Sequence, residues 1–432
     1  MTHSVNPIDE NHLLYGNFIG LQYIFHDPIS AKSLTTAIEI LTTQFPALSG
    51  HYCAKSRGIK AAAKPVTLEL ISTSKSVDDI LTASQRPNFI NEPNRQNVVK
   101  GRAPLSTFTL TQFSGGGIIL GVAISHILSD AAGVHMLMQH LSNIYDAIEN
   151  GNTPPEFPFV TKLDTFKFGT TRTKAESVAA IKKRDLPKPI PIKGLIGQFI
   201  KPLIIKAMDK SLSENSPVKL HFTSDDIARL KETVLRESKE DWISTNVALC
   251  AHFTRLISKL SYGDDIKNEM QIGQLLDLRG RYFKTDPQAQ SRFLGNAILI
   301  HIDKAKFPKG LQNTPRGALA KYFKQRQAKT SSEDVETRLN LLSDCLRHGY
   351  TNPELDVKKP IIALNNQSKI PAYDLTFGGQ HPAHIFPQDV GDNIMFFPAH
   401  NGGIDIYIRD IVNPKRQVKL RDQDWQTQIF DF

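Results

Sequence analysis

A chain of 432 residues with 40% apolar and 22% charged side chains has an ordinary globular composition, and its length exceeds what one core usually serves, so two domains are expected. The formal charge of +9 invites a nucleic-acid partner, but its 52 Lys and Arg are scattered without an aromatic-interleaved patch or a reader motif. No nucleic acid is therefore expected, and a small polyanion suits the charge equally well.

The first residues, MTHSVNPIDENH, lack a basic region followed by an apolar one. No apolar run approaches the ~20 residues that a membrane-spanning helix needs. Cys53, Cys250 and Cys345 show no metal-type spacing and leave an odd thiol. A reducing, cytoplasmic setting is expected.

In chain order, Ile19, Leu21, Tyr23 and Phe25 alternate as a strand, and Ser30 caps a helix with Leu34, Ala37, Ile38 and Leu41 on one face. Residues 45–50, FPALSG, turn into a strand around His51. Strands at 66–71 and 107–113 enclose a helix at 77–83.

The stretch 115–151 changes hydrophobic period in its middle. After Gly115, Gly116 and Gly117, residues 118–124 are almost continuously apolar, as in a strand buried on both faces. From Asp130 onward, Val134, Leu137, Leu141, Ile144, Tyr145 and Ile148 recur at the three-and-four spacing of a helix face. The chain therefore turns at 126–130. Ser129 or Asp130 can cap the helix, and Ala131, Ala132 and Gly133 leave its first turn nearly bare, so that a ligand or another surface can approach.

A histidine at the end of a buried strand, beside such a turn, is placed for acid–base work. The pattern His126-x-x-x-Asp130 is weak alone, because His221 and Asp225 repeat it. For the second pair, Thr223 or Ser224 as helix cap with Asp225 in the first turn is a sufficient reading. Only His126 follows a glycine-led buried strand. His135 and His140 are separated around the helix and are not expected to bind a metal with Asp130. The three glycines, with no Lys-Ser/Thr after them, read as a strand entry rather than a phosphate loop.

Prolines at 153–158 and the basic run 182–193, KKRDLPKPIPIK, mark linkers. Residues 194–212 alternate apolar residues with Lys201, Lys206 and Lys210, which fits either peripheral membrane contact or, as expected here, a connector helix packed on its own protein. From Val218 the pattern begins again. Helices are expected at 224–239 and from Ser244, then a strand through Ile272, Gln274, Leu276 and Leu278 that delivers Asp277 and Arg279. A strand at 293–302, helix over most of 316–348, strands at 361–364, 372–377, 394–397 and 404–408, and a closing helix near Trp425 complete an α/β reading with mixed sheets and helices outside.

Several separated stretches agree with one family. Residues 34–50 resemble a helix ending in a Pro-Leu-Ala-Gly turn, and 104–146 resemble a strand, an HxxxDG motif and a helix. Residues 244–260, 277–281 and 295–296 are similar to a Ser-Thr helix start, an Asp-x-Arg-x-Arg strand and a Gly-Asn strand, and 371–382, PAYDLTFGGQHP, resembles the stretch holding Asp-Phe-Gly-Trp-Gly-Lys-Pro. In this order they resemble the BAHD acyltransferases of the chloramphenicol acetyltransferase and condensation-domain superfamily. Ala131 stands where the family has glycine, Thr376 replaces an aspartate, and Gly379 and Gln380 replace Trp-Gly, while Phe377, Gly378 and Pro382 remain. A single histidine differs from the pair usual in peptide-forming condensation domains.

The resemblance implies two chloramphenicol-acetyltransferase-like domains, at 1–180 and 218–432, a crossover linker at 181–217 and a channel at the interface. It implies acyl transfer from acyl-CoA, as co-substrate, to an alcohol or amine of a small molecule, with no resident cofactor and no acyl-enzyme. His126 is then the general base. Asp130 points away from it and pairs with Arg279, Phe377 and Gly378 are structural, and Asn296 and Thr376 are candidates for contacting substrate. A monomer is expected. A non-catalytic binding or scaffold protein of the same fold is the alternative.

Overall fold

The structure is a computed structural model that describes residues 2–5, 8–9, 17–53, 56, 58–82, 88–159, 172–184, 186–187, 191, 217–262, 271–282, 291–304, 307, 310–356, 359, 361–388 and 394–409. The expected connector at 194–212 and the closing helix near Trp425 lie outside the described residues.

Strand β1 (Thr2–Ser4) precedes β2 (Phe18–Phe25), which is buried on both faces because its one central polar side chain is satisfied: the Gln22 amide bonds Gln388 at 2.9 Å and the Phe89 N–H at 3.1 Å. Helix α1 (Ala31–Gln44) starts at Ser30, whose hydroxyl accepts the Ser33 N–H, and ends before Pro46. Then come β3 (His51–Cys53), β4 (Gly58–Lys60), β5 (Leu68–Thr73), α2 (Val77–Thr82), α3 (Arg95–Val99), β6 (Ser106–Phe113), β7 (Ile118–Ser125) and α4 (Ala131–Glu149). Gly116 and Gly117 have positive φ in the turn joining β6 to β7, and a Cβ on Gly117 would lie 2.5 Å from Val77, which is why glycine stands there.

Helix α5 (Lys174–Lys183) opens on a capping box between Thr173 and Glu176. Further on are β8 (Val218–Phe222), α6 (Ser224–Ser238), α7 (Thr245–Tyr262), β9 (Gln271–Asp277), α8 (Arg279–Tyr282), β10 (Ile298–Lys304), α9 (Arg316–Lys329), α10 (Ser332–Arg347), β11 (Ile361–Asn366), β12 (His384–Pro387), β13 (Ile394–Pro398) and β14 (Ile404–Ile408).

The chain divides into two compact units, each discontinuous in sequence. One comprises Met1–Lys167, Leu278–Ile298 and Ile370–Asp389, and the other Phe168–Asp277, Leu299–Lys369 and Val390–Phe432. The first holds a small sheet, β1-β4-β3, and a mixed sheet ordered β12-β2-β7-β6-β5 whose only parallel pair among the described residues is β5 with β6. All eight residues of β7 are buried at the centre of that sheet. In the second unit, the sheet runs β10-β9-β11-β13-β14-β8, parallel at β9-β11-β13 and antiparallel at β13-β14-β8. Its core joins that sheet to α6, α7 and α9, with the Phe253 ring 5.5 Å from Phe396 and 5.7 Å from Phe222.

Three expected strands are corrected. Residues 372–377 form turns, since Pro371 precedes them and Gly378 and Gly379 follow at positive φ. The strand expected from 293 starts only at Ile298, because the backbone groups of 295 and 297 bond side chains and neighbouring loops instead of a ladder. Arg279 is not on a strand: β9 ends at Asp277, the Leu278 N–H turns to Ala297 O at 2.7 Å, and Arg279 opens α8. The long helical stretch 316–348 is two helices, divided at Thr330 and Ser331, where Ser331 caps the second.

Candidate active site

Strand β7 delivers the chain into a turn at 126–128, and α4 begins at 131. Between 118 and 130, His126 alone is not fully buried, so the imidazole is the group this strand and turn present to the outside. Its main chain is fixed, the N–H donating to Asn17 O at 2.8 Å and the carbonyl accepting from Asn296 Nδ2 at 2.6 Å. Asn296 Oδ1 lies 3.4 Å from His126 Nδ1. Asn296 is wholly buried, and Asp9 holds it twice: Oδ1 accepts Nδ2 at 2.8 Å and the backbone N–H at 3.2 Å. Asn296, a candidate for touching substrate, therefore has its amide engaged with protein.

Asp130 is the cap of α4 and is 2% exposed. Its Oδ1 accepts the Gly133 N–H at 3.0 Å and Arg279 Nη2 at 2.8 Å; its Oδ2 accepts Arg279 Nη1 at 2.9 Å and the Ala297 N–H at 2.7 Å. Two carboxylate oxygens offer about four acceptor sites, and these four donors fill them. The imidazole of His126 is not among them. Arg279 goes on to Gly295 O at 3.2 Å and lies over the Phe293 ring at 5.7 Å, so this bidentate pair ties the turn after β7 to the loop before β10. A Cβ at Gly133 would sit 2.0 Å from Ser129 Oγ, so the bare first turn lets the helix close against the turn.

Thr376, Phe377 and Gly378 gather at the other end of α4. The Thr376 hydroxyl donates to Asp146 Oδ2 at 2.9 Å, the Gly378 N–H donates to Asp146 Oδ1 at 2.6 Å, and Ser142 Oγ donates to the Thr376 carbonyl. Phe377 is fully buried, its ring edge-on to Phe25 at 5.8 Å and to Tyr145 at 5.4 Å. At 1.5 Å per residue, Asp146 stands about 24 Å along the helix from the Asp130 cap. These residues pin the far end of α4 and are remote from the imidazole.

Other candidates have packing roles. Burial holds the His135 imidazolium range below its usual value, opposed by Asp374, and pushes His140 down to about 4. His140 Nε2 lies 2.5 Å from Gln44 Oε1, and its ring packs on Phe157 and Phe159. Among the described residues, no group of three or more His, Cys, Asp or Glu is arranged to hold a metal ion. His221 on β8 faces Asp405 on β14 at 2.8 Å, with Lys219 2.6 Å from the other oxygen, while Thr223 and Asp226 form the capping box of α6. Burial pushes the Cys250 and Cys345 thiols up to about 12, which keeps them from acting as thiolates.

Asp9 and Asn17 escaped the sequence reading. Neither belongs to a periodic element or a motif, and Asp9 meets a partner 287 positions away, so no local pattern marks it.

The sequence model described as Transferase family matches residues 25–419. The chain is similar to hydroxycinnamoyl-CoA:piscidic acid hydroxycinnamoyltransferase of Actaea racemosa, 22% identical over 317 residues; these are 69% of this chain and 66%, just under two thirds, of the relative. Among solved structures it is similar to F. sporotrichioides TRI101 complexed with coenzyme A and T-2, with 14% identity and a TM-score of 0.68 over 99% of this chain and 98% of that one. It is also similar to vinorine synthase, with 15% identity and a TM-score of 0.63 over 99% and 95%. At these identities the structural likeness is one of fold. No helix of the described residues is long and apolar enough to cross a membrane.

Proposed function

The chain belongs to the Transferase family, the BAHD acyltransferases with their chloramphenicol-acetyltransferase-like fold, and from that premise we propose that it moves an acyl group from a CoA thioester to a hydroxyl or amine of a small molecule. The observation that carries this reading is the half-buried imidazole of His126 at the end of a buried strand, on a turn held in place by Asp130 and Arg279.

His126 takes the proton of the acceptor as its oxygen or nitrogen attacks the thioester carbonyl, a task suited to imidazole because its ordinary pKa lies near neutrality. The new bond to the acyl carbon forms, the carbon–sulfur bond breaks, and the departing sulfur receives the proton as the free thiol of CoA. Histidine ends the cycle as it began. Asp130 has no part in the proton's path; with Arg279 it holds the turn so that the imidazole meets the acceptor in one orientation. The raised thiols of Cys250 and Cys345 support direct transfer without an acyl-enzyme. The net charge of +9 suits a co-substrate that carries phosphates.

The test is to incubate the purified protein with short, branched and aromatic acyl-CoAs, each against a set of alcohols and amines, and follow both free CoA thiol and acylated product by mass. Acceptor-dependent thiol release matched by product is the expected result. Tight acyl-CoA binding with no release across the panel would favour a binding protein of the same fold, and an acyl group that stays with the protein through gel filtration would contradict direct transfer.

A further inference from the structure

We propose that Asp9, a residue of the N-terminal segment outside the HxxxD pattern, is a positioning residue that sets which nitrogen of His126 carries the proton. The inference rests on the reading of His126 as the base.

A primary amide can turn end over end, exchanging its oxygen and nitrogen with almost no change of shape. At Asn296 the surroundings forbid it. With Nδ2 toward Asp9 Oδ1 (2.8 Å) and the His126 carbonyl oxygen (2.6 Å), both amide hydrogens meet acceptors. Reversed, the amide oxygen would face a carboxylate and a carbonyl, lone pair against lone pair, at a residue that is wholly buried. The carboxylate is the stronger of the two constraints, since a hydrogen bond to a charged acceptor is roughly twice as strong as a neutral one. Asp9 Oδ1 also accepts the Asn296 backbone N–H at 3.2 Å, which fixes the stem on which the amide turns.

Asn296 Oδ1 is thereby aimed at His126 Nδ1, 3.4 Å away. An oxygen facing a ring nitrogen requires a hydrogen on that nitrogen, so Nδ1 carries the proton and Nε2 keeps the lone pair. The base is then the nitrogen turned away from Asn296. The same N-terminal segment braces the turn a second time through Asn17, whose carbonyl takes the His126 N–H at 2.8 Å. Asp9 is itself 4% exposed, so its carboxylate is held among these groups rather than in water.

The experiment labels the histidine rings with 15N and reads their tautomers by long-range proton–nitrogen correlation at a pH where His126 is neutral, the His126 signals being those lost in His126→Ala. The wild-type protein is expected to show protonated Nδ1; a wild-type His126 protonated mainly on Nε2 overturns the proposal before any variant is made. In Asp9→Ala, and in the better-filling Asp9→Leu, the tautomer balance shifts toward Nε2, and kcat falls about 10- to 100-fold, part of what a positioned base contributes, with both KM values within about twofold. Asp9→Asn, whose amide oxygen can accept the same two N–H groups, keeps the wild-type tautomer and most of kcat. An unchanged tautomer in Asp9→Ala or Asp9→Leu, or a rise in KM alone, contradicts the proposal. The tautomer is read without substrate, so Asp9 can fail this test while acyl transfer by His126 stands, and failure of acyl transfer is read separately from the product assay.

Discussion

Four N–H groups converge on the two oxygens of Asp130, and they decide what that residue can do. Asp130→Asn keeps the shape but sets an amide N–H against one of these donors and leaves Arg279, 5% exposed, with an uncompensated charge. A loss of about 3–5 kcal/mol is expected, read by denaturant melts, with activity falling in parallel; Arg279→Ala behaves alike, and Arg279→Lys does not restore the bidentate fork. An Asp130→Asn protein of wild-type stability but much lower kcat would instead make the aspartate a proton relay. His140 predicts a pH effect. With its folded pKa at about 4 and an unfolded value of about 6.5, the unfolded chain binds a proton across that window and the folded protein does not. Stability present above pH 6.5 is therefore lost as pH falls toward 4. Melting temperatures of wild type and His140→Gln should separate less at pH 4.5 than at pH 7, as the variant escapes this loss; a constant separation over that range would contradict the assignment. At this scale His126 was legible from the change of period around it, and Asp130 with Arg279 through the family's order of motifs, whereas Asp9 was not, since its contact spans the length of the chain.

The stretch 371–382 works through an element, α4, whose far end Asp146 joins to the turn at 376–378. Asp146→Ala deprives the Thr376 hydroxyl and the Gly378 N–H of their acceptor and should cost about 1–3 kcal/mol, while kcat of the folded fraction stays within about threefold, because the anchor is remote from His126. A large loss of kcat at unchanged stability would place that turn in the chemistry. Gly378 is required at φ +63, and Phe377 is required as the ring between Phe25 and Tyr145, which gives both residues a structural role. Long periodic elements such as β7 and α4 could be read from their spacing. The three-residue strands β1 and β4 are too short to carry a period, and 372–377 alternated like a strand although its flanking Pro371, Gly378 and Gly379 impose turns. The extension of β9 to Arg279 failed for a different reason: the buried ion pair draws the chain off the sheet.

Across the whole molecule, neither unit is a continuous stretch of chain. Arg279 and Asn296, which hold the turn after β7, and β12, which pairs with β2, all come from beyond residue 277 yet belong to the unit that contains His126. A fragment of residues 1–180 should accordingly lack a cooperative melt and dispersed NMR signals, since it buries Asp130 without Arg279 and leaves β2 an open edge; a fragment that melts cooperatively would show that the later segments are dispensable. Sequence alone suggested two halves with similar patterns, and the exchange of segments between units was hidden because it depends on contacts far apart in the chain. As the proposed base of a CoA-dependent acyl transfer, His126 is tested by comparing wild type with His126→Ala for acceptor-dependent release of CoA thiol at saturating acyl-CoA. A fall of at least about 100-fold is expected, with acyl-CoA affinity and melting temperature nearly unchanged; a variant that folds, binds acyl-CoA and retains wild-type turnover would show that His126 is not the base.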